Sequence, residues 1–322
     1  MNPTATNASR KRASGPRRRP FDTGGVGRHN GCRYLLFLLL LLVAPARAEA
    51  QRTGFTTENI RFERAGVALA GTVFRPRQPV AAVVLVHGSG QEKRMTDMAM
   101  RLAESGIAVL TYDKRGVGES GGVYAGPEVG TNNIDAANLD LLAGDAAAAT
   151  DALLAHLPAR AGPVGLLGFS QAGWVIPLAA GKSRAVRFMV LFSGPVATAR
   201  EQLRFQFFTR GQRDFWEMHT EAEAREHLHN DPDRYQFADT DARGLLATLA
   251  IPGLWLFGGK DIQVPVGLSM EHLDALRAQG KPFEYRLFPD LGHNTGFAAS
   301  PEPSDAAIQW IKALASRPKK EK

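Results

Sequence analysis

Cysteine is almost missing from this chain of 322 residues: Cys32 is the only one, and nothing after it can form a disulfide, a thiolate metal site or a cysteine nucleophile. Stability must then come from a packed core, and the 272 residues after position 50 are enough to build one. A membrane-spanning stretch is missing too. Such a helix needs about 20 apolar residues, and the run Tyr34–Val43 holds ten. No segment repeats with a period of tens of residues, which excludes solenoids and propellers. Excess charge of one sign is absent from most of the chain. The net charge of +7 comes from 39 bases and 32 acids, and residues 1–50 hold nine of the bases (Arg10, Lys11, Arg12, Arg17, Arg18, Arg19, Arg28, Arg33 and Arg47) and two of the acids (Asp22 and Glu49). That segment carries the whole surplus. The remaining 30 bases and 30 acids balance, so no nucleic-acid partner is expected.

The basic segment reads as a leader. Arg28 and Arg33 precede the apolar run, and Ala44-Pro-Ala-Arg-Ala-Glu-Ala50 follows it, with small-x-small patterns at Ala46-Arg47-Ala48 and Ala48-Glu49-Ala50. A secretory signal has an apolar region of roughly 7 to 15 residues and then such a site. Cleavage after Ala48 or Ala50 is expected, giving a periplasmic or secreted protein with no membrane span. An uncleaved N-terminal anchor is the alternative. Arg18-Arg19-Pro20-Phe21 echoes a twin-arginine export signal but lies well ahead of the run, and Cys32 also precedes it, where a lipid-modified cysteine would not sit.

After residue 50, short apolar runs alternate with longer amphipathic stretches. Strands are expected at 59–63, 67–74, 81–86, 107–112, 164–169, 188–192, 253–257 and 283–288, and helices at 95–105, 133–157, 171–180, 266–279 and 304–315. The wholly apolar Ala81–Val86 is of the kind buried on both faces of a parallel sheet. Strand, helix, strand in recurrence predicts an α/β fold with a mostly parallel central sheet flanked by helices. Residues 196–247 interrupt it with helical patterning and a surplus of aromatics, including Phe205, Phe208, Phe215 and Trp216, and read as a helical insertion.

In open α/β sheets, reactive groups collect beyond the carboxyl ends of the strands. The residues there are His87-Gly-Ser-Gly90, Asp113-Lys-Arg-Gly116, Ser170-Gln-Ala-Gly173, Ser193-Gly194, Asp261 and His293. Gly168-Phe-Ser-Gln-Ala172 joins a strand to a helix without a linker. A serine in so tight a turn projects its hydroxyl, and small residues two positions either side let the backbones cross. The usual pattern has Gly where this chain has Ala172. A serine hydroxyl needs a base, which His293 on its glycine-containing loop supplies, and the imidazole needs an acceptor, for which Asp261 is placed. The oxyanion requires two donors: the backbone N–H of Gln171, and that of Ser89 or Gly88. His87 is read as structural, and His156, His219, His227 and His229 as solvated.

Together these blocks, with Tyr112-Asp-Lys-Arg-Gly-Val-Gly-Glu-Ser120, Gly259-Lys-Asp261 and Gly292-His293, resemble the α/β-hydrolase family over roughly residues 57–316, in its branch of serine esterases, lipases and aminopeptidase-like enzymes. The resemblance implies the α/β-hydrolase fold with Ser170 as nucleophile, His293 as base, Asp261 as the orienting acid, residues 196–247 as a cap above the pocket, and no cofactor or metal. It implies a small-molecule carboxylic ester as substrate, cleaved through an acyl-enzyme. Amide hydrolysis on the same residues is the first alternative and needs a pocket carboxylate for a substrate ammonium, for which Asp214, Glu217, Glu221 and Glu223 of the insertion are candidates. A non-catalytic ligand-binding member of the fold is the second. Gly116-Val-Gly-Glu-Ser-Gly121 imitates a dinucleotide fingerprint, but Asp113-Lys-Arg115 separates it from the strand, and a structural loop with Asp113 pairing Arg115 or nearby backbone is expected instead. His227-Leu-His229 lacks further ligands at zinc spacing.

Overall fold

The computed structural model describes residues 54–232 and 236–317. The leader lies outside them. Among the described residues no helix is long and apolar enough to cross a membrane.

Strands β1 (Phe55–Arg64) and β2 (Val67–Pro76) form a hairpin in which Ala65 and Gly66, both at positive φ, connect the paired Arg64 and Val67. Two consecutive residues in the left-handed region match the twist of the flanking strands. The chain continues through β3 (Ala81–Val86), α1 (Thr96–Glu104), β4 (Ile107–Tyr112), α2 (Ala136–Ala155), β5 (Val164–Phe169), α3 (Ala172–Lys182) and β6 (Val186–Phe192). Helices α4 (Ala199–Thr209), α5 (Phe215–Met218), α6 (Glu221–Asn230) and α7 (Arg243–Leu246) make up the insertion, and β7 (Gly253–Gly258), α8 (Val266–Ala278), β8 (Phe283–Phe288) and α9 (Glu302–Ala315) complete the chain.

The eight strands form one sheet in the order β1-β2-β4-β3-β5-β6-β7-β8, antiparallel at β1, β2 and β4 and parallel from β4 through β8. Strand side chains alternate between faces. Accordingly Val84 and Val86 pack into a core with Leu139, Trp174 and Leu273 from α2, α3 and α8, while Val83 and Leu85 pack on the other face with Leu102 of α1 and Ile311 of α9. Burial on both faces is why β3, β5 and β7 are apolar throughout and β4 is apolar as far as Leu110. From β3 the chain crosses to β4 on one side, and the later strands β5 to β8 lie on the other. Loops leaving β3 and β5 therefore diverge from adjacent strand ends and open a crevice, the usual place for a ligand.

The insertion has a small core of its own, in which Phe205, Ala224 and Leu228 are packed by Phe208 and Trp216. Its helices α4 and α6 each start with a capping box, Thr198 with Glu201 and Thr220 with Glu223.

Candidate active site

Ser170 stands between β5 and α3 at φ 51°, the left-handed conformation that a non-glycine residue adopts at a cost on the order of 1–3 kcal/mol. Its neighbours have to be small. A Cβ on Gly168 would lie 2.5 Å from the Cβ of Ala172 and 2.9 Å from the Val86 carbonyl, and one on Gly173 would meet Pro195 Cδ at 2.5 Å. Alanine two residues after the serine is therefore accommodated, while glycine is required two residues before it. The Ser170 N–H is fixed by Phe192 O at 2.9 Å, which ties the turn to β6.

Three residues far apart in sequence meet at this turn. His293 Nε2 lies 2.9 Å from Ser170 Oγ, and His293 Nδ1 lies 2.8 Å from Asp261 Oδ2. An Nδ1–H donated to the carboxylate leaves Nε2 as the acceptor of the serine hydroxyl, the arrangement needed to remove its proton. The Asp261 side chain is fully buried, and its other oxygen accepts from Gln263 N at 2.7 Å and Val264 N at 3.0 Å. With both oxygens occupied, the carboxylate holds the imidazole in one orientation.

Support comes from two further elements. Thr295, two residues after the histidine, exchanges a hydrogen bond with Ser193 Oγ at 3.0 Å and donates to Leu256 O at 3.2 Å, which fastens the histidine loop to the ends of β6 and β7. The insertion grips the acid loop. Trp216 Nε1 donates to Asp261 O at 2.8 Å, Thr209 Oγ1 to Ile262 O at 2.8 Å, and Gln206 Nε2 to Gln263 O at 3.1 Å. The insertion was expected above the pocket. Among the described residues, those lining the cleft at Ser170 are Gly88, Ser89, Glu92, Phe169, Phe192, His293, Asn294, Gly296 and Phe297, and none belongs to 196–247. Its contacts with the site run through the backbone of residues 261–263 instead.

The cleft holds about 220 Å³. Phe169 is sandwiched between Phe192 and Phe297, with ring centroids 5.2 Å and 4.6 Å away, so one wall is aromatic. The opposite side is polar. Gly88 and Ser89 both line it, but the Gly88 N–H donates to Glu92 Oε2 at 3.0 Å. Of the two alternatives for the second oxyanion donor, Gly88 is thus already engaged by a carboxylate, and Ser89 is the better placed. Gln171 immediately precedes α3 and is buried, its side-chain amide donating to Asn133 O at 2.7 Å.

Glu92 is the pocket carboxylate that sequence reasoning missed. Burial pushes its carboxyl above the ordinary glutamate value, opposed by the Gly88 N–H and the charge of Lys114. The four acids proposed for that role act elsewhere: Glu223 caps α6 on Thr220, Glu221 pairs with Arg225, Asp214 immediately precedes α5, and Glu217 lies within it. The only hint of Glu92 was its place four residues after Gly88, in the loop that leaves β3.

His87 is structural, as expected. It is buried, its Nε2–H donates to Tyr112 O at 2.6 Å, and desolvation together with Lys114 lowers its pKa to about 3, so the ring is neutral. The glycine loop after β4 is also structural, with Gly116 N–H donating to Gly121 O at 2.8 Å and Ser120 Oγ to Asp113 O at 2.6 Å. Of the two expectations for Asp113, the pair with Arg115 does not form and the bonds to nearby backbone do. Asp113 accepts from Arg94 and from the Glu119 N–H, and Arg115 reaches the buried Asp145 of α2 through two hydrogen bonds.

Residues 77–242 match the serine aminopeptidase S33 family. The match contains Ser170 and the loop after β3, whereas Asp261 and His293 lie beyond it. No curated protein sequence matches the chain. Among solved structures, the chain is similar to the Pyrococcus furiosus esterase Pf2001 with a TM-score of 0.60 and 16% identity, covering 83% of this chain and 94% of the esterase. A lipase in its open form gives 0.59 and 17%, covering 81% of this chain and all of the lipase. The acylaminoacyl peptidase of Pyrococcus horikoshii gives 0.58 and 17%, covering 84% of this chain and 43% of the peptidase. At such identities these likenesses show the shared α/β-hydrolase fold.

Proposed function

The chain belongs to the serine aminopeptidase S33 family of α/β-hydrolases, and from that membership we propose that it cleaves small carboxylic esters through an acyl-enzyme formed on Ser170. The reading is carried by the continuous hydrogen-bonded line Ser170 Oγ, His293 Nε2, His293 Nδ1, Asp261 Oδ2. In it, Ser170 Oγ attacks the ester carbonyl as His293 Nε2 takes its proton, and the Asp261 carboxylate favours the imidazolium that results. The oxyanion is met by the N–H groups of Gln171 and Ser89. His293 then protonates the departing alcohol, and a water activated by the same nitrogen attacks the acyl carbon, releasing the acid and Ser170. The aromatic wall of Phe169, Phe192 and Phe297 suits an apolar acyl or alcohol group, and the small cleft suits a short one.

A short-chain nitrophenyl ester tests this. Ser170→Ala and His293→Ala should each lower kcat by on the order of 10⁴-fold or more, with the fold intact by circular dichroism. Wild-type rates in both variants would contradict it.

Glu92 favours a second reading, amide hydrolysis of a substrate bearing an ammonium group. Its carboxylate lines the cleft, although it accepts from Gly88 and lies in the field of Lys114. Aminoacyl nitroanilides separate the two readings. Turnover of these in preference to the nitrophenyl ester, abolished by Glu92→Gln, would favour the amide. We also propose that the leader directs export. Intact mass of the exported protein should then begin at Glu49 or Gln51, and retention of residues 1–48 would contradict cleavage.

A further inference from the structure

Lys114 is a buried cation with no part in the steps above. It lies two residues after β4, is 3% exposed, and among the described residues has no carboxylate partner within hydrogen-bond distance. Its ammonium donates instead to Gly88 O at 2.6 Å, to Gly90 O at 3.2 Å and to Gln171 Oε1 at 3.1 Å. Three N–H groups meet three acceptors, which uses the whole donor capacity of a lysine.

Those acceptors belong to the two flanks of the oxyanion site. Gly88 O and the N–H of Ser89 are parts of one planar, trans peptide unit, so the carbonyl and the N–H point in opposite directions. Drawing the carbonyl toward Lys114 directs the Ser89 N–H away from it, and a positive charge on the oxygen polarises the unit so that the N–H donates more strongly. On the other flank, Lys114 and Asn133 O hold the side-chain amide of Gln171, the residue whose N–H is the second donor. We propose that Lys114 is the positioning residue of the oxyanion hole, a charged tie that aligns the Ser89 and Gln171 N–H groups and acts on the transition state through them. This rests on the serine-hydrolase reading of the site.

The charged and titratable groups facing Lys114 are Glu92 on the loop after β3, Glu128 on the single turn at 127–129, His87 at the end of β3, and the ring of Tyr124, 5.6 Å from the ammonium. Burial dominates and lowers the lysine pKa to about 8, with Glu92 and Glu128 opposing. Above that pH the neutral amine has two N–H groups for three acceptors, and the tie slackens.

The test follows kcat and KM for a nitrophenyl ester from pH 6 to 10, together with Ki for a trifluoromethyl ketone that mimics the oxyanion, in wild type, Lys114→Met and Lys114→Arg. Ser170→Ala runs alongside. Wild-type kcat should fall as pH rises through about 8 while KM stays level. Lys114→Met should lower kcat at pH 7 by on the order of 10²-fold, the size of losing an oxyanion donor. Its Ki should weaken by a similar factor, its KM should change less than about twofold, and its alkaline fall should vanish. Lys114→Arg keeps its charge to pH 10 and should recover part of the rate with a flat alkaline profile. A Lys114→Met enzyme with wild-type kcat and Ki overturns the proposal. A second uncharged variant, Lys114→Gln, decides the matter if the methionine variant fails to fold: wild-type kcat and Ki in it overturn the proposal as well. An active Ser170→Ala would instead defeat the serine-hydrolase reading itself.

Discussion

His293 is held at both ring nitrogens, and the two contacts have different consequences when lost. Asp261→Asn keeps the shape of the acid but presents an amide to Nδ1, so the ring can take the tautomer in which Nε2 carries the hydrogen and cannot accept from Ser170. That variant should retain the melting temperature within a few degrees and lose on the order of 10³- to 10⁴-fold in kcat for the nitrophenyl ester. His87 makes the opposite demand, since it must stay uncharged. Its folded pKa of about 3 lies below the unfolded value near 6.5, so between those limits the unfolded chain binds a proton that the native protein does not. The His87 contribution to stability is whole above pH 6.5 and is lost as pH falls toward 3. Ring nitrogen shifts in an NMR titration should show His87 as the neutral Nε2–H tautomer at pH 5. At this scale Ser170, Asp261 and His293 were legible because each stands directly beyond a strand end. Glu92 and Lys114 were not: Glu92 accepts from a loop backbone N–H, and Lys114 meets Gly88 O, Gly90 O and Gln171 Oε1, groups 24 to 57 residues away that only folding brings near.

Two elements are joined to the rest of the molecule by polar contacts that can be cut singly. The loop after β4 is anchored to α2 by the bidentate Arg115–Asp145 pair, in which Asp145 is fully buried. Removing one member of such a pair leaves an uncompensated charge. Asp145→Asn should therefore lower the unfolding free energy by about 3–5 kcal/mol, read from the urea midpoint. The insertion holds the acid loop through Trp216, and Trp216→Phe removes that hydrogen bond while keeping an aromatic ring in place. A loss of about 1 kcal/mol in stability is expected, with a several-fold fall in kcat as the carboxylate loosens. The strands after β2 follow the apolar runs closely, and all five helices outside the insertion fall where amphipathic stretches predict them. β1 extends four residues earlier than expected, to Phe55, because its outer residues alternate weakly and are held by pairing with β2 through Pro76. That the insertion buttresses the acid loop had no local signal. Trp216 and Asp261 are 45 residues apart, and side-chain-to-carbonyl bonds leave no pattern in sequence.

For the whole molecule, the order of the strands decides where chemistry gathers. Because β3 and β5 are neighbours while their crossovers leave in opposite directions, the His87–Gly90 loop and the Ser170 turn open onto one crevice, and β7 and β8 deliver Asp261 and His293 to the same rim. The alternation of apolar runs and helices conveyed the sheet and its switch point, and chain order pointed to Ser170, Asp261 and His293, which the fold brings into hydrogen-bond contact. Which segment roofs the cleft depends on the path of the insertion, and among the described residues none that lines the cleft belongs to it. The most direct measurement is labelling of the folded protein with a fluorophosphonate, followed by peptide mapping. The account predicts one adduct, on the peptide containing Ser170, formed at a greatly reduced rate in His293→Ala. An adduct on any other residue, or labelling of the histidine variant at the wild-type rate, would contradict it.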